Sequence, residues 1–225
     1  MAKAPIAVAL DGPDLRTIVD WAESVAPHVS TLKVGLETYL RDGEAAIQAV
    51  RNTGCELFLD LKLHDIPNTV AGAARSVARF APKYLTVHAL GGADMLRAAA
   101  EALPETRITA VTILTSMDEQ ALRSIGIQDS ALEAAVRLAR LAVAAGARAI
   151  VCSPLEVKAI RAAVPSDIVL ITPGVRPLGA EVGDQKRIAT PQQAIADGAD
   201  IVVIGRPITS AADPAGAAAG IALEL

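Results

Sequence analysis

Eight short, apolar, β-branched runs recur along the chain, and longer helix-like segments separate them. The runs lie at 6–10, 32–34, 56–61, 84–87, 108–114, 149–151, 168–171 and 201–204. Strands buried on both faces read as near-continuous apolar runs of this kind. The intervening segments are rich in Ala, Leu, Arg and Glu at helical spacing, at 15–25, 44–51, 71–80, 95–103, 131–145 and 155–163, with a last one at 214–225. Asn52-Thr53-Gly54, Ala145-Gly146-Ala147 and Asp197-Gly198-Ala199 stand where a helix ends and the next strand begins. Strand–helix alternation implies a parallel sheet, and eight units allow it to close. We therefore expect an α/β fold, a single (β/α)8 TIM barrel over 1–225 with no second domain. An open, doubly wound sheet is the competing architecture.

Composition narrows the function classes. Hydrophobic residues make up 52% of the 225, charged residues 20% and aromatics 2%, so a large core must be packed mainly by aliphatic side chains and alanine. The balance of Lys+Arg 21 against Asp+Glu 25 gives a net charge of −4, which offers no basic face to nucleic acid or to an anionic membrane. Any grip on a phosphate must come from a few placed groups. Cys55 and Cys152 stand far apart without CxxC spacing, which excludes a disulfide framework and a cysteine zinc site. The opening Met-Ala-Lys-Ala-Pro lacks a signal-peptide pattern, and charged residues or Gly interrupt the apolar stretches before ~18 residues accumulate. A cytoplasmic protein with free thiols is expected.

In a (β/α)8 barrel, chemistry sits at the C-terminal ends of the strands. Those positions carry Asp11, Lys33, Asp60, Lys62, His88, Thr115, Thr172 and Gly205-Arg206. The sharpest stretch is Asp60-Leu61-Lys62-Leu63-His64-Asp65-Ile66-Pro67-Asn68-Thr69. Residues two apart on a strand share a face, so Asp60 and Lys62 are expected to point the same way, with Lys33 approaching Asp60 from the adjacent strand. A structural ion pair is the plain alternative, but convergence of three charges at the catalytic end favours chemistry. Asp65 serves equally well as the N-cap of the following helix, with Pro67 in its first turn. Asp11 fits either a sugar hydroxyl or a chain turn. A metal held by Asp60, Asp65 and Glu37 is disfavoured, because Lys33 and Lys62 would repel a divalent cation. His28 reads as a surface residue, and His88 as a buried histidine with its hydrogen bonds satisfied.

A second feature pairs Thr172-Pro173-Gly174-Val175-Arg176 with Ile204-Gly205-Arg206. Barrels of this class bind phosphate in the loops after their seventh and eighth strands. Glycines let backbone N–H groups approach the anion, and Arg206 adds a charge-assisted contact. The stretch 177–187, with Gly179 and Gly183, reads as a lid.

These residues resemble the orotidine 5′-phosphate decarboxylase family. Asp60-x-Lys62-x-x-Asp65-Ile-Pro-Asn-Thr69 is similar to the family signature. Ala9-Leu10-Asp11, Leu32-Lys33-Val34-Gly35, Leu114-Thr115-Ser116, Thr172 to Arg176, Asp184-Gln185-Lys186-Arg187 and Val203 to Arg206 follow in the family's order. The resemblance implies decarboxylation of orotidine 5′-monophosphate to uridine 5′-monophosphate without metal or organic cofactor. It implies that Lys62 donates the proton to C6 and that Asp60, held by Lys33, lies beside the departing carboxylate. Lys33 would also reach the ribose, Asp11 its hydroxyls and Thr115 the base. Arg176, Gln185, Gly205 and Arg206 would hold the phosphate. Asp65 and Thr69 would enter the site of a neighbouring subunit, making a homodimer, and Ile66 would be among the residues that contact the substrate. The rival on the same scaffold is a magnesium-dependent 3-keto sugar-phosphate decarboxylase or synthase, which carries an acidic metal ligand where this chain has Lys33. A non-catalytic barrel that binds a phosphate ligand is more remote, because the charged set Lys33, Asp60, Lys62 and Asp65 is complete.

Overall fold

A computed structural model describes residues 3–176 and 189–225. Eight parallel strands form a closed barrel in sequence order: β1 (Ala4–Ala9), β2 (Val29–Gly35), β3 (Glu56–Leu63), β4 (Tyr84–His88), β5 (Arg107–Val111), β6 (Ala149–Val151), β7 (Val169–Thr172) and β8 (Ile201–Ile204). Pairing of β1 with β8 closes the ring. Each expected run lies on a strand, and the open-sheet alternative is excluded. The described helices are α1 (Leu15–Val25), α2 (Leu36–Asp42), α3 (Glu44–Asn52), α4 (Pro67–Val77), α5 (Gly92–Ala102), α6 (Glu119–Ser124), α7 (Ala131–Ala144), α8 (Val157–Ala163), α9 (Pro191–Ala196), α10 (Arg206–Thr209) and α11 (Pro214–Leu223). None of them is long and apolar enough to cross a membrane.

Strand alternation divides the core in two. On β1, Ile6, Val8 and Leu10 face the helices, whereas Ala7 and Ala9 face the barrel interior. On β3, Leu57 and Leu59 face out while Phe58 joins the interior group with Tyr84, Ile171 and Val203. Phe58 and Tyr84 meet edge to face with ring centroids 5.7 Å apart. This packed plug fills the barrel below the catalytic rim. The same inward parity carries Asp11, Lys33, Asp60, Thr86 and His88 toward that rim. Outside, alanines of α7 (Ala134, Ala135, Ala139 and Ala142) are buried in the outer core, which explains how so few aromatics suffice.

Three differences from the sequence reading have local causes. β5 stops at Val111 rather than at 114, because Thr112 bonds the carbonyl of Val151, the last residue of the three-residue β6. Asp65 does not cap α4: Ile66 holds the N-cap position, and the Asp65 carboxylate accepts the neighbouring Ile66 N–H at 2.6 Å. Pro67 does occupy the first turn, where its missing N–H costs nothing. The short helices α2, α6, α9 and α10 were not read from the sequence, since four to seven residues display too little periodicity. The expected lid at 177–187, including Gln185, lies outside the described residues.

Candidate active site

Lys33 and Asp60 reach the site from adjacent strands, with Gly35 of β2 in register with Asp60 of β3. Both residues are buried, at 7% and 9% exposure. An isolated charge could not be held there, so pairing is required. Lys33 Nζ lies 3.3 Å from Asp60 Oδ2 and 3.4 Å from Asp11 Oδ2, and Lys62 Nζ lies 2.8 Å from Asp60 Oδ1. The charges alternate along a chain Asp11–Lys33–Asp60–Lys62. Burial works to raise the Asp60 pKa, but the Lys33 and Lys62 ammoniums overcome it and hold the carboxyl below its ordinary value. Burial opposes the charge on Lys33 too, and Asp60 and Asp11 outweigh it, so its pKa is raised. Gly35 is needed for this convergence: a Cβ there would stand 2.5 Å from Asp11 Oδ1 and 2.8 Å from Lys33 Nζ.

Lys62 reaches Asp60 by a route that strand alternation does not describe. Its φ of 47° is left-handed, and the β3–β4 register shifts between Leu59 and Leu63. Thr86 of β4, fully buried, accepts the Lys62 backbone N–H at 2.8 Å and donates its hydroxyl to Asp60 Oδ1 at 3.0 Å. The sequence reading missed Thr86. Its inward parity with Tyr84 and His88, beside the strand bearing Asp60, was the available signal.

Two adjoining cavities open at this rim and share Lys33, Pro173 and Val203. The first, about 260 Å³, contains Asp60, Lys62, Thr115, Ser116 and Cys152 in a mostly apolar wall. The second, about 480 Å³, contains Asp11, Glu37, Gly174, Arg176, Gly205 and Arg206. The loops after β7 and β8 thus meet where phosphate binding was expected. Glu37 and Thr209 also line the second cavity and were not picked out for it. Asp65, Ile66 and Thr69 are exposed and line neither cavity.

A model of the orotidine 5′-phosphate decarboxylase / HUMPS family matches residues 4–221. The chain belongs to this family. Among curated members it is 66% identical to the orotidine 5′-phosphate decarboxylase of Thermobifida fusca, covering 99% of this chain and 96% of that protein. It is 52% identical to the enzyme of that name from Frankia casuarinae, over 99% of this chain and 88% of the relative. The crystal structure of the orotidine 5′-phosphate decarboxylase from Lactobacillus acidophilus superposes with a TM-score of 0.86 at 35% identity, covering 99% of both chains. Within the family's strand-end motif the described residues offer no group of three His, Cys, Asp or Glu arranged for a metal ion.

The histidines differ from the sequence reading. His88 is half-buried, its ring centroid 5.4 Å from that of the exposed His64, and its Nδ1 has no hydrogen-bond partner among the described residues. Burial first, then the His64 and Lys62 charges, hold the His88 pKa below its ordinary 6.5. A group depressed in the folded state contributes stability above its unfolded pKa that is lost as pH falls through the folded value. The thermal midpoint of His88→Gln is therefore expected to drop less than that of the wild type between pH 7 and pH 5. Parallel drops in unfolding scans would show that His88 does not contribute.

Proposed function

We propose that this chain decarboxylates orotidine 5′-monophosphate to uridine 5′-monophosphate, the last step of pyrimidine nucleotide synthesis, as a single-domain carboxy-lyase. The observation that carries the reading is the ion chain that runs through buried Lys33 and Asp60 and ends at Lys62, facing one cavity, with Arg206 in the adjoining one. The names of the close relatives support the same substrate.

The chemistry follows from the charges. The C6–carboxylate bond breaks, carbon dioxide leaves, and the electron pair stays on C6. No adjacent carbonyl delocalises that pair fully, so a fixed ammonium is needed. Lys62 stabilises the developing negative charge and then gives its proton to C6; solvent restores it. Asp60 stands beside the substrate carboxylate and anchors the Lys62 ammonium, while Lys33 keeps Asp60 ionised and reaches the ribose. Asp11 takes ribose hydroxyls, and Thr115 contacts the base. Arg176, Gly205 and Arg206, with Gln185 from the 177–187 stretch, hold the phosphate, whose binding energy is used to organise the site. Asp65 and Thr69 serve the neighbouring subunit of a homodimer, and Ile66 contacts the substrate. The exposure of Ile66, Leu36 and Leu40 near this rim suits a covered face.

The sister reading, a magnesium-dependent sugar-phosphate enzyme, needs an acidic metal ligand on β2. Here Lys33 fills that place, its ammonium paired to two carboxylates. The test is the ultraviolet absorbance change of orotidine 5′-monophosphate with purified protein, with and without a chelator. Equal turnover in both supports the proposal; no turnover, or turnover only with added Mg2+, defeats it.

The phosphate grip makes a separate prediction. Arg206→Ala removes a charge-assisted contact and should lower kcat/KM by about 2–4 kcal/mol, with kcat itself reduced because remote binding energy acts at the transition state. Steady-state kinetics with unchanged constants would place the phosphate elsewhere.

A further inference from the structure

We propose that Thr86 is a positioning residue for the decarboxylation, holding Lys62 in a left-handed backbone conformation from which its ammonium meets Asp60. This rests on Lys62 being the acting group. Lys62 is one of two non-glycine residues with positive φ among those described. That conformation disfavours an L side chain and persists only where surroundings enforce it. The β3–β4 register breaks between Leu59 and Leu63, so the ladder does not enforce it. Thr86 does.

A hydroxyl offers one donor and two acceptor sites, and Thr86 uses both kinds. Its Oγ1 accepts the Lys62 N–H at 2.8 Å and donates to Asp60 Oδ1 at 3.0 Å, the same oxygen that receives Lys62 Nζ at 2.8 Å. The ring Lys62 N–H, Thr86 hydroxyl, Asp60 carboxylate and Lys62 ammonium is closed. Backbone and side-chain tip of one lysine are thereby tied to one carboxylate oxygen. Thr86 has no exposed surface, so no ligand touches it. Its effect must pass through Lys62 and Asp60.

The proposal is tested with Thr86→Val, which keeps the shape and removes the hydroxyl, and Thr86→Ser, which keeps the hydroxyl. Small misplacement of a reacting group costs about a hundredfold in rate, so Thr86→Val should lose about that in kcat with KM changed less than about threefold. Thr86→Ser should recover kcat to within about fivefold of wild type. Wild-type kcat in Thr86→Val while Lys62→Ala is inactive overturns the positioning role and leaves the Lys62 reading standing. An equal loss in Thr86→Ser overturns it as well. Wild-type turnover in Lys62→Ala defeats both. Should Thr86→Val fail to fold, hydrogen exchange of the Lys62 amide in the wild type decides: protection comparable to the β3 ladder amides supports the clamp, and free exchange contradicts it.

Discussion

Mixing Asp65→Ala chains with Lys62→Ala chains should restore decarboxylation, although each variant alone is expected to be nearly inactive. The two residues have different partners: Lys62 pairs with buried Asp60 at 2.8 Å, whereas Asp65 is exposed and bonded to the next backbone N–H. Freed from capping α4, the Asp65 carboxylate has no structural duty in that helix. If it completes the neighbour's site, a mixed dimer carries one site with both residues intact and one with neither. Random pairing in a two-fold dimer then returns about a quarter of the wild-type activity. Activity is read after mixing, with mixed dimers verified by mass. Mixed dimers without activity would mean that Asp65 acts within its own subunit or not at all.

The barrel was legible because each strand announces itself separately. Even the three-residue β6 was located correctly, since Ala149, Ile150 and Val151 are apolar and lie between a helix-ending glycine and polar residues. The position of Asp11, Lys33 and Asp60 at the C-terminal ends of β1, β2 and β3 likewise followed from the strand runs. Lys62 did not follow. Alternation led to the right neighbour, Asp60, while missing the left-handed turn that brings the ammonium there. Backbone departures of this kind leave no periodic trace. Thr86 read as an ordinary strand residue, because its partners come from the register break on β3, which only the assembled sheet reveals. Asp65 misled for the opposite reason: a carboxylate two residues before a proline looks like a cap, yet the helix begins one residue later.

Lys62→Ala should abolish turnover while leaving the barrel folded. Asp60 would retain Lys33 at 3.3 Å and the Thr86 hydroxyl at 3.0 Å, so no buried charge is orphaned. Two contributions vanish together. Electrostatic stabilisation by a placed donor supplies about 10^2–10^3 in rate, and general acid catalysis about 10^2–10^4. Their joint loss is on the order of 10^5-fold, about 7 kcal/mol of barrier. The proposed phosphate and ribose contacts involve Asp11, Arg176, Gly205 and Arg206 of the adjoining cavity, so uridine 5′-monophosphate should still bind. The most direct test measures turnover of orotidine 5′-monophosphate and thermal unfolding on the same preparation of Lys62→Ala. A near-native unfolding midpoint with kcat reduced on the order of 10^5-fold is the predicted result. A folded variant keeping more than about a tenth of wild-type kcat, a loss under ~1.4 kcal/mol, would contradict the assignment of the chemistry to Lys62.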